Sequence, residues 1–239
     1  ILIPFQAMAW KHLDYIKKAP ELSLAYKLIH NHEISFCNNS SLVDEQDITD
    51  TISSWLKAGL NTKDVDLTNY IIVDCVAPDI LIDDSSLISE IVYGCAGGLY
   101  TNPYYKKTEI PILNKELEEI NHKSDVTPLD KLRVKQRELY LEILNSVKYP
   151  SVFLNNTDEA IKKYKMSKVL LHEIGHAFGL CDEDNSAPAS KDCDPANQSP
   201  TRDKSSIMSY QNQSEVLSQY DKEGISKIFE RLNKNQIVR

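Results

Sequence analysis

No stretch of this sequence approaches the roughly 18 consecutive apolar residues that a membrane-spanning helix requires, so no membrane partner is expected. Nor is there an excess of basic charge. The 27 Lys and Arg stand against 35 Asp and Glu for a net charge of −8, which argues against a nucleic-acid partner, because phosphate contacts need clustered cations. Internal repeats and low-complexity tracts are lacking too. With 41% hydrophobic and 26% charged residues, the composition is that of an ordinary globular chain rather than a disordered or fibrous one.

The five cysteines, Cys37, Cys75, Cys95, Cys181 and Cys193, include no CxxC pair, so a structural zinc site of that kind is not expected. Their odd number leaves at least one thiol unpaired. Cys181 with Cys193, and Cys75 with Cys95, are pairings the spacing allows; the alternative is that all are small buried hydrophobes. The sequence opens at Ile1 rather than Met, so residues are expected to have been removed ahead of it.

The 239 residues suffice for one good-sized domain or two small lobes around a cleft. Residues 8–30 read as one or two short helices, and Ile34–Cys37 as a short strand. In Asp44–Leu60, Ile48, Ile52, Trp55 and Leu56 recur at helical spacing and Gly59 marks the end. Tyr70–Val76 is a dense β-branched run, expected as a strand buried on both faces. Ile91–Tyr93 and Glu109–Leu113 are further strand candidates, the latter confined to a sheet edge by Pro111. Lys115–Val147 reads as helical, with Leu129, Leu132, Leu139, Ile143 and Val147 forming a core-facing stripe. Ser151–Leu154 is another strand. Thr157 is expected to cap a helix that runs through Met166 to Leu180.

That last helix carries His172-Glu173-Ile174-Gly175-His176. Side chains four apart on a helix lie one above the other, so the two imidazoles can grip one ion. Glu173, rotated by about 100°, can reach a water at that ion without ligating it. A catalytic zinc needs a third protein ligand and an open position. Gly179 can take a positive φ and end the helix, after which Asp182 is placed to turn back toward the metal; its neighbour Glu183 is the alternative. A bare HExxH arises in about one in a hundred shuffled chains of this composition; adding this Gly and Asp lowers that to about two in 100,000.

HEIGHAFGLCD resembles the HExxHxxGxxH/D signature of the metzincin clan of zinc peptidases, and its Asp is similar to the third ligand of the snapalysin group. Ser206-Ile207-Met208-Ser209-Tyr210 resembles the clan's Met-turn in the form seen in serralysins and astacins, and Leu217–Phe229 looks like its C-terminal helix. A Met there would form a polarizable floor under the histidines.

The resemblance implies an α+β, zincin-like fold with a twisted mixed sheet, an active-site helix and a small C-terminal lobe. It implies a zinc endopeptidase with ligands His172, His176 and Asp182, Glu173 as general base, and Tyr210 as the phenol that donates to the oxyanion. The expected organisation is a helical extension, residues 1–33, then one catalytic domain, 34–239, with lobes 34–179 and 180–239. The expected protein is secreted and monomeric and takes protein or peptide substrates.

Three alternatives accompany this reading. One is a gluzincin, with Glu215, Glu223 or Glu230 as third ligand. Another is a zinc-binding protein without turnover, and the last a toxin or effector protease with a single protein substrate. The acidic loop Asp182–Asp203, with Asp184, Asp192 and Asp194, offers oxygen ligands for calcium but lacks the EF-hand spacing, so a solvated loop is favoured. His30 and His32 have no acidic or Cys partner nearby in sequence, and Cys37 is read as a strand residue rather than a zinc-capping thiol.

Overall fold

The computed structural model describes residues 15–62, 65–91, 97–182, 205–209 and 215–237. In chain order the elements are helices α1 (Tyr15–Lys18) and α2 (Leu24–Asn31), strand β1 (Ile34–Asn38), helix α3 (Glu45–Gly59), strands β2 (Ile71–Val73) and β3 (Ile80–Asp84), helix α4 (Ile88–Ile91) and strand β4 (Gly98–Thr101). Helices α5 (Pro103–Asn121) and α6 (Pro128–Ser146), strand β5 (Ser151–Leu154), and helices α7 (Asp158–Lys163), α8 (Met166–Phe178) and α9 (Gln219–Ile237) complete the set.

Short polar side chains set the helix starts. Asp44 accepts from the Asp47 N–H while the Asp47 carboxylate accepts from the Asp44 N–H, a reciprocal box that opens α3. Thr127 and Asp130 do the same for α6, with Pro128 in its first turn. In α3, Ile48, Ile52, Trp55 and Leu56 are all fully buried, as their spacing predicts.

The five strands form one sheet in the order β2-β1-β3-β5-β4. The pairs β1–β2, β1–β3 and β3–β5 are parallel, and β4 alone runs antiparallel, with Gly98 opposite Leu154 and Thr101 opposite Ser151. This is the α+β architecture with a mixed sheet that the sequence leads one to expect. Helices α3 and α8 are joined where the Trp55 indole N–H donates to the Leu171 carbonyl (2.9 Å). Phe178 on α8 lies between Trp55 and Phe229 of α9, with ring centroids 6.4 and 6.5 Å away.

Several elements differ from the sequence reading. Glu109–Leu113 is part of α5, not an edge strand: Asn102 caps that helix by accepting from the Tyr104 and Tyr105 N–H groups, and Pro111 sits at an exposed position. There water can replace the hydrogen bond that its missing N–H forgoes. The stretch 115–147 is likewise not one helix. Helices α5 and α6 run antiparallel as a hairpin, pinned by Lys106 on the Asn145 carbonyl (2.9 Å), Arg137 on Glu116 (2.7 Å) and Lys123 on Asp130 (2.6 Å). Only the end of the expected stripe is core: Ile143 and Val147 are buried, whereas Leu129 and Leu132 are exposed.

Within Tyr70–Val76 only Ile71–Val73 pairs among the described residues, and it does so at the sheet edge, with Ile72 and Val73 exposed. Ile91 ends a helix rather than opening a strand, and Tyr93 lies outside the described residues. The helix expected from Thr157 to Leu180 is broken by extended backbone at Tyr164 and Lys165 into α7 and α8, although Thr157 does cap the first. Strands β3 and β4 were not anticipated.

The cysteine pairing also differs. Cys37 is bonded to Cys75, which rules out Cys75–Cys95 and leaves Cys37 no thiol for a metal. Cys181 is disulfide-bonded, while Cys95 and Cys193 lie outside the described residues.

Candidate metal centre

Helix α8 presents His172, Glu173 and His176 from consecutive turns, and one ligand atom from each lies within 4.8 Å of the others. The helix stops at Gly179, whose φ of 112° is left-handed. The Gly179 N–H reaches back to the Gly175 and His176 carbonyls (3.1 and 2.9 Å) and the Leu180 N–H to Gly175 (3.0 Å), closing the end as a tight cap. The chain leaving this cap brings Asp182 back over the histidines. Its Oδ1 lies 3.1 Å from His172 Nε2 and 3.3 Å from His176 Nε2, and the two Nε2 atoms are 3.2 Å apart.

The other ring nitrogens fix the tautomers. His172 Nδ1 lies 2.8 Å from the Ile207 carbonyl and His176 Nδ1 2.8 Å from the Leu180 carbonyl. A carbonyl can only accept, so both Nδ1 atoms carry a proton, and in the neutral imidazoles both Nε2 atoms present lone pairs. Two lone pairs and a carboxylate oxygen therefore converge in a buried triangle. Its near-equal sides match the about 3.3 Å edge of a zinc tetrahedron with 2.0–2.1 Å bonds, and two imidazoles with a carboxylate are a zinc donor set. These residues fit a zinc ion.

The electrostatics favour a cation in the same place. Burial alone would depress the His172 imidazole, but the Asp182 hydrogen bond and the charges of Glu173 and Asp182 outweigh it, lifting His172 to about 9. His176 is raised for similar reasons, against its burial, chiefly by Asp182. Burial would raise Asp182, yet the His176 charge and the two imidazole contacts hold it well below the usual carboxylate range. Both histidines keep part of their side chains open, 13% and 12%, while Asp182 is almost wholly covered at 2%.

Glu173 is buried, and burial raises its carboxyl, with the charges of His172 and His176 pulling the other way. It also accepts a backbone hydrogen bond from Tyr100 on β4. A buried carboxyl with its affinity for protons raised is suited to taking and returning one.

Below the histidines lies the turn Ser206–Ser209. The Ser206 hydroxyl donates to Asp221 Oδ1 (2.5 Å) and the Ile207 N–H to Asp221 Oδ2 (3.0 Å). Ser218 and Asp221 cap α9 reciprocally: the Ser218 N–H donates to Asp221 Oδ2 (2.8 Å) and the Asp221 N–H to Ser218 Oγ (3.1 Å). The buried Asp221 thus joins α9 to the carbonyl that orients His172.

Met208, 2% exposed, packs against α8 at Gly175, where an added Cβ would stand 2.5 Å from the Met208 sulfur and 2.8 Å from Trp55 Cζ2. A Gly here gives up helix propensity for close approach. Gly175→Ala is therefore expected to destabilise the fold by about 1–3 kcal/mol through overpacking, read as a lower midpoint in urea unfolding.

Of the residues the sequence singles out, His172, Glu173, His176 and Asp182 are brought together, while Tyr210 and Glu183 lie outside the described residues. The rival ligands are engaged elsewhere. Glu215 pairs with Lys165, Glu223 accepts from Gln219 (3.1 Å), and Glu230 is exposed. His30 stacks on Tyr26 (3.8 Å). The acidic residues Asp184, Asp192, Asp194 and Asp203 lie outside the described residues. Sequence reading missed Asp221, although Ser218-x-x-Asp221 is a capping signature, and it missed Gly175 as a contact point. The two carbonyl partners of the imidazoles leave no mark in the sequence.

The family model Reprolysin_5, described as metallo-peptidase family M12, matches residues 136–220, a stretch that takes in α8, Asp182 and the turn at Ser206–Ser209. No curated protein and no solved structure matches the chain. The family match and the His–Glu–His cluster together support a zinc metallopeptidase, and the mixed α+β fold is consistent with a zincin-like one. No helix among the described residues is long and apolar enough to cross a membrane.

Proposed function

We propose that the protein is a zinc endopeptidase of the metzincin type, with His172, His176 and Asp182 as the ligands and Glu173 as the general base. The observation that carries this reading is the triangle of two Nε2 lone pairs and one carboxylate oxygen, 3.1–3.3 Å on a side, beside a buried glutamate. Bound there, zinc would supply a Lewis acid and an activated water.

The chain's own residues then act in sequence. Glu173 takes a proton as the water oxygen bonds to the scissile carbonyl carbon. When the C–N bond breaks, Glu173 delivers that proton to the leaving amine nitrogen. The Ile207 and Leu180 carbonyls keep the histidines in their ligating tautomer throughout. Tyr210, two residues after Met208, is assigned the oxyanion-donating role, and Ser206–Tyr210 the part of the Met-turn. The catalytic domain in this proposal comprises an upper lobe, 34–179, and a lower lobe, 180–239, and the protein acts as a monomer on protein or peptide substrates. Secretion is part of the same reading. It is supported by the disulfides at Cys37–Cys75 and at Cys181, which persist in oxidising compartments.

Cleavage of unfolded casein by zinc-loaded protein, beside Glu173→Ala prepared identically, tests the reading. The variant is expected to bind one zinc and to lose about 10²–10⁴ in kcat. If neither protein cuts casein while zinc is bound one to one, the general peptidase reading fails in favour of a single narrow substrate or a metal site without turnover.

A further inference from the structure

The last carbonyls of any helix lack intrahelical donors, and in α8 they belong to the residues between His176 and the turn that delivers Asp182. Besides the Gly179 N–H on the His176 carbonyl, their donors come from the first helices of the chain. The hydroxyl of Tyr15, on α1, lies 2.7 Å from the His176 carbonyl and 2.9 Å from the Ala177 carbonyl, and the Ser23 hydroxyl lies 3.0 Å from the Phe178 carbonyl. Both side chains are fully buried. Ile16, next to Tyr15, packs so closely on Gly179 that a Cβ there would stand 2.3 Å from its Cδ1.

Tyr15 is held in turn by the rings of Tyr100 and Tyr105, with centroids 6.3 and 6.2 Å away. Asn102 accepts the Tyr104 and Tyr105 N–H groups through Oδ1, which leaves its Nδ2 to donate to the Tyr100 hydroxyl (3.3 Å). The Tyr100 ring lies against that of Tyr15. Tyr100 also lies ring to ring with His176 (6.4 Å, 26°) and gives its backbone N–H to Glu173. Buried hydrogen bonds and ring contacts thus lead from the start of α5, past the base, to the end of α8.

We infer that Tyr15 is a positioning residue for the His176–Asp182 turn, and that its hydroxyl holds the third carboxylate in register with the two imidazoles. This rests on the zinc reading above. Among the described residues Tyr15 is the donor to the Ala177 carbonyl, and without its hydroxyl the end of α8 is free to rewind or fray. The displacement would pass through Gly179 to Asp182, not to His172, which leans on Ile207.

The test is Tyr15→Phe, which keeps the ring and removes the hydroxyl, with Ser23→Ala as a second variant and Ile143→Val, in a separate buried cluster, as a stability control. Zinc affinity is measured by chelator competition, the cobalt-substituted proteins are compared by their visible ligand-field bands, and Tm is recorded without metal. Tyr15→Phe is expected to lose about 10–100-fold in zinc affinity, the range for partners that orient ligands, and to shift the cobalt bands. Ser23→Ala is expected to move both in the same direction by less, and Ile143→Val to lower Tm alone. Should Tyr15→Phe lower Tm yet bind zinc like wild type with unchanged bands, Tyr15 is only a packing residue and the inference is overturned. Should Tyr15→Phe not fold, Ser23→Ala decides by the same two readouts. A wild type that takes up no zinc or cobalt would instead sink the zinc reading itself.

Discussion

Asp182→Ala is expected to yield a folded protein that no longer retains zinc through dialysis and cuts no casein. In the wild type, Asp182 Oδ1 closes the triangle with the two imidazoles; its charge is the main influence raising His176, and its hydrogen bond the main one raising His172. Two neutral imidazoles alone make a weak site for zinc, which takes at least three protein ligands in catalytic centres. The loss should exceed the 10–100-fold produced by changing residues that merely orient ligands. Zinc content by atomic absorption, with circular dichroism as the folding control, reads this directly. One zinc per chain at wild-type affinity would transfer the third-ligand role to Glu183 or to a glutamate of α9.

Asp221→Ala should be the most damaging change away from the metal. Its carboxylate accepts from the Ser206 hydroxyl and from the N–H groups of Ile207 and Ser218, all near the start of α9. Buried donors left without an acceptor cost about 1–3 kcal/mol each, so a loss of about 3 kcal/mol or more is expected. Urea unfolding in the presence of a chelator isolates this contribution from that of bound zinc. The same variant should also weaken zinc binding, because the Ile207 carbonyl that orients His172 belongs to the released turn. An unchanged urea midpoint would mean that water replaces the carboxylate and that the turn stands without it.

Much of this was legible before any coordinates. The HExxHxxGxxD spacing marks α8, its left-handed Gly179 stop and the return of Asp182, because each of those residue types is demanded by local geometry. Helix α3 was equally plain, since its apolar period and its Asp44 cap agree. What failed was anything decided by neighbours distant in sequence. Glu109–Leu113 carries a strand-like composition, but the cap at Asn102 and the packing of α6 made it helix. Ile71–Val73 looks like a buried strand and lies instead on an edge, which only the sheet order reveals. Strand β4 is short, contains Gly98, and pairs only through residues beyond Pro150. The Cys37–Cys75 bond likewise follows from the three-dimensional neighbourhood of β1 and the segment after β2, which spacing does not specify.

The partners of the histidines are scattered along almost the whole chain. The His176 carbonyl is braced from Tyr15 and the end of its helix from Ser23, while His172 is braced from Ile207, which answers to Asp221. During synthesis, then, the HExxH helix emerges from the ribosome well before the last of its braces. Domains form as their residues become available, at about 5–20 residues per second, so for some seconds a nascent chain would hold both histidines and the glutamate without a metal-ready arrangement. A peptidase assembled in this order would stay inert toward its own unfolded neighbours until the ribosome had delivered α9.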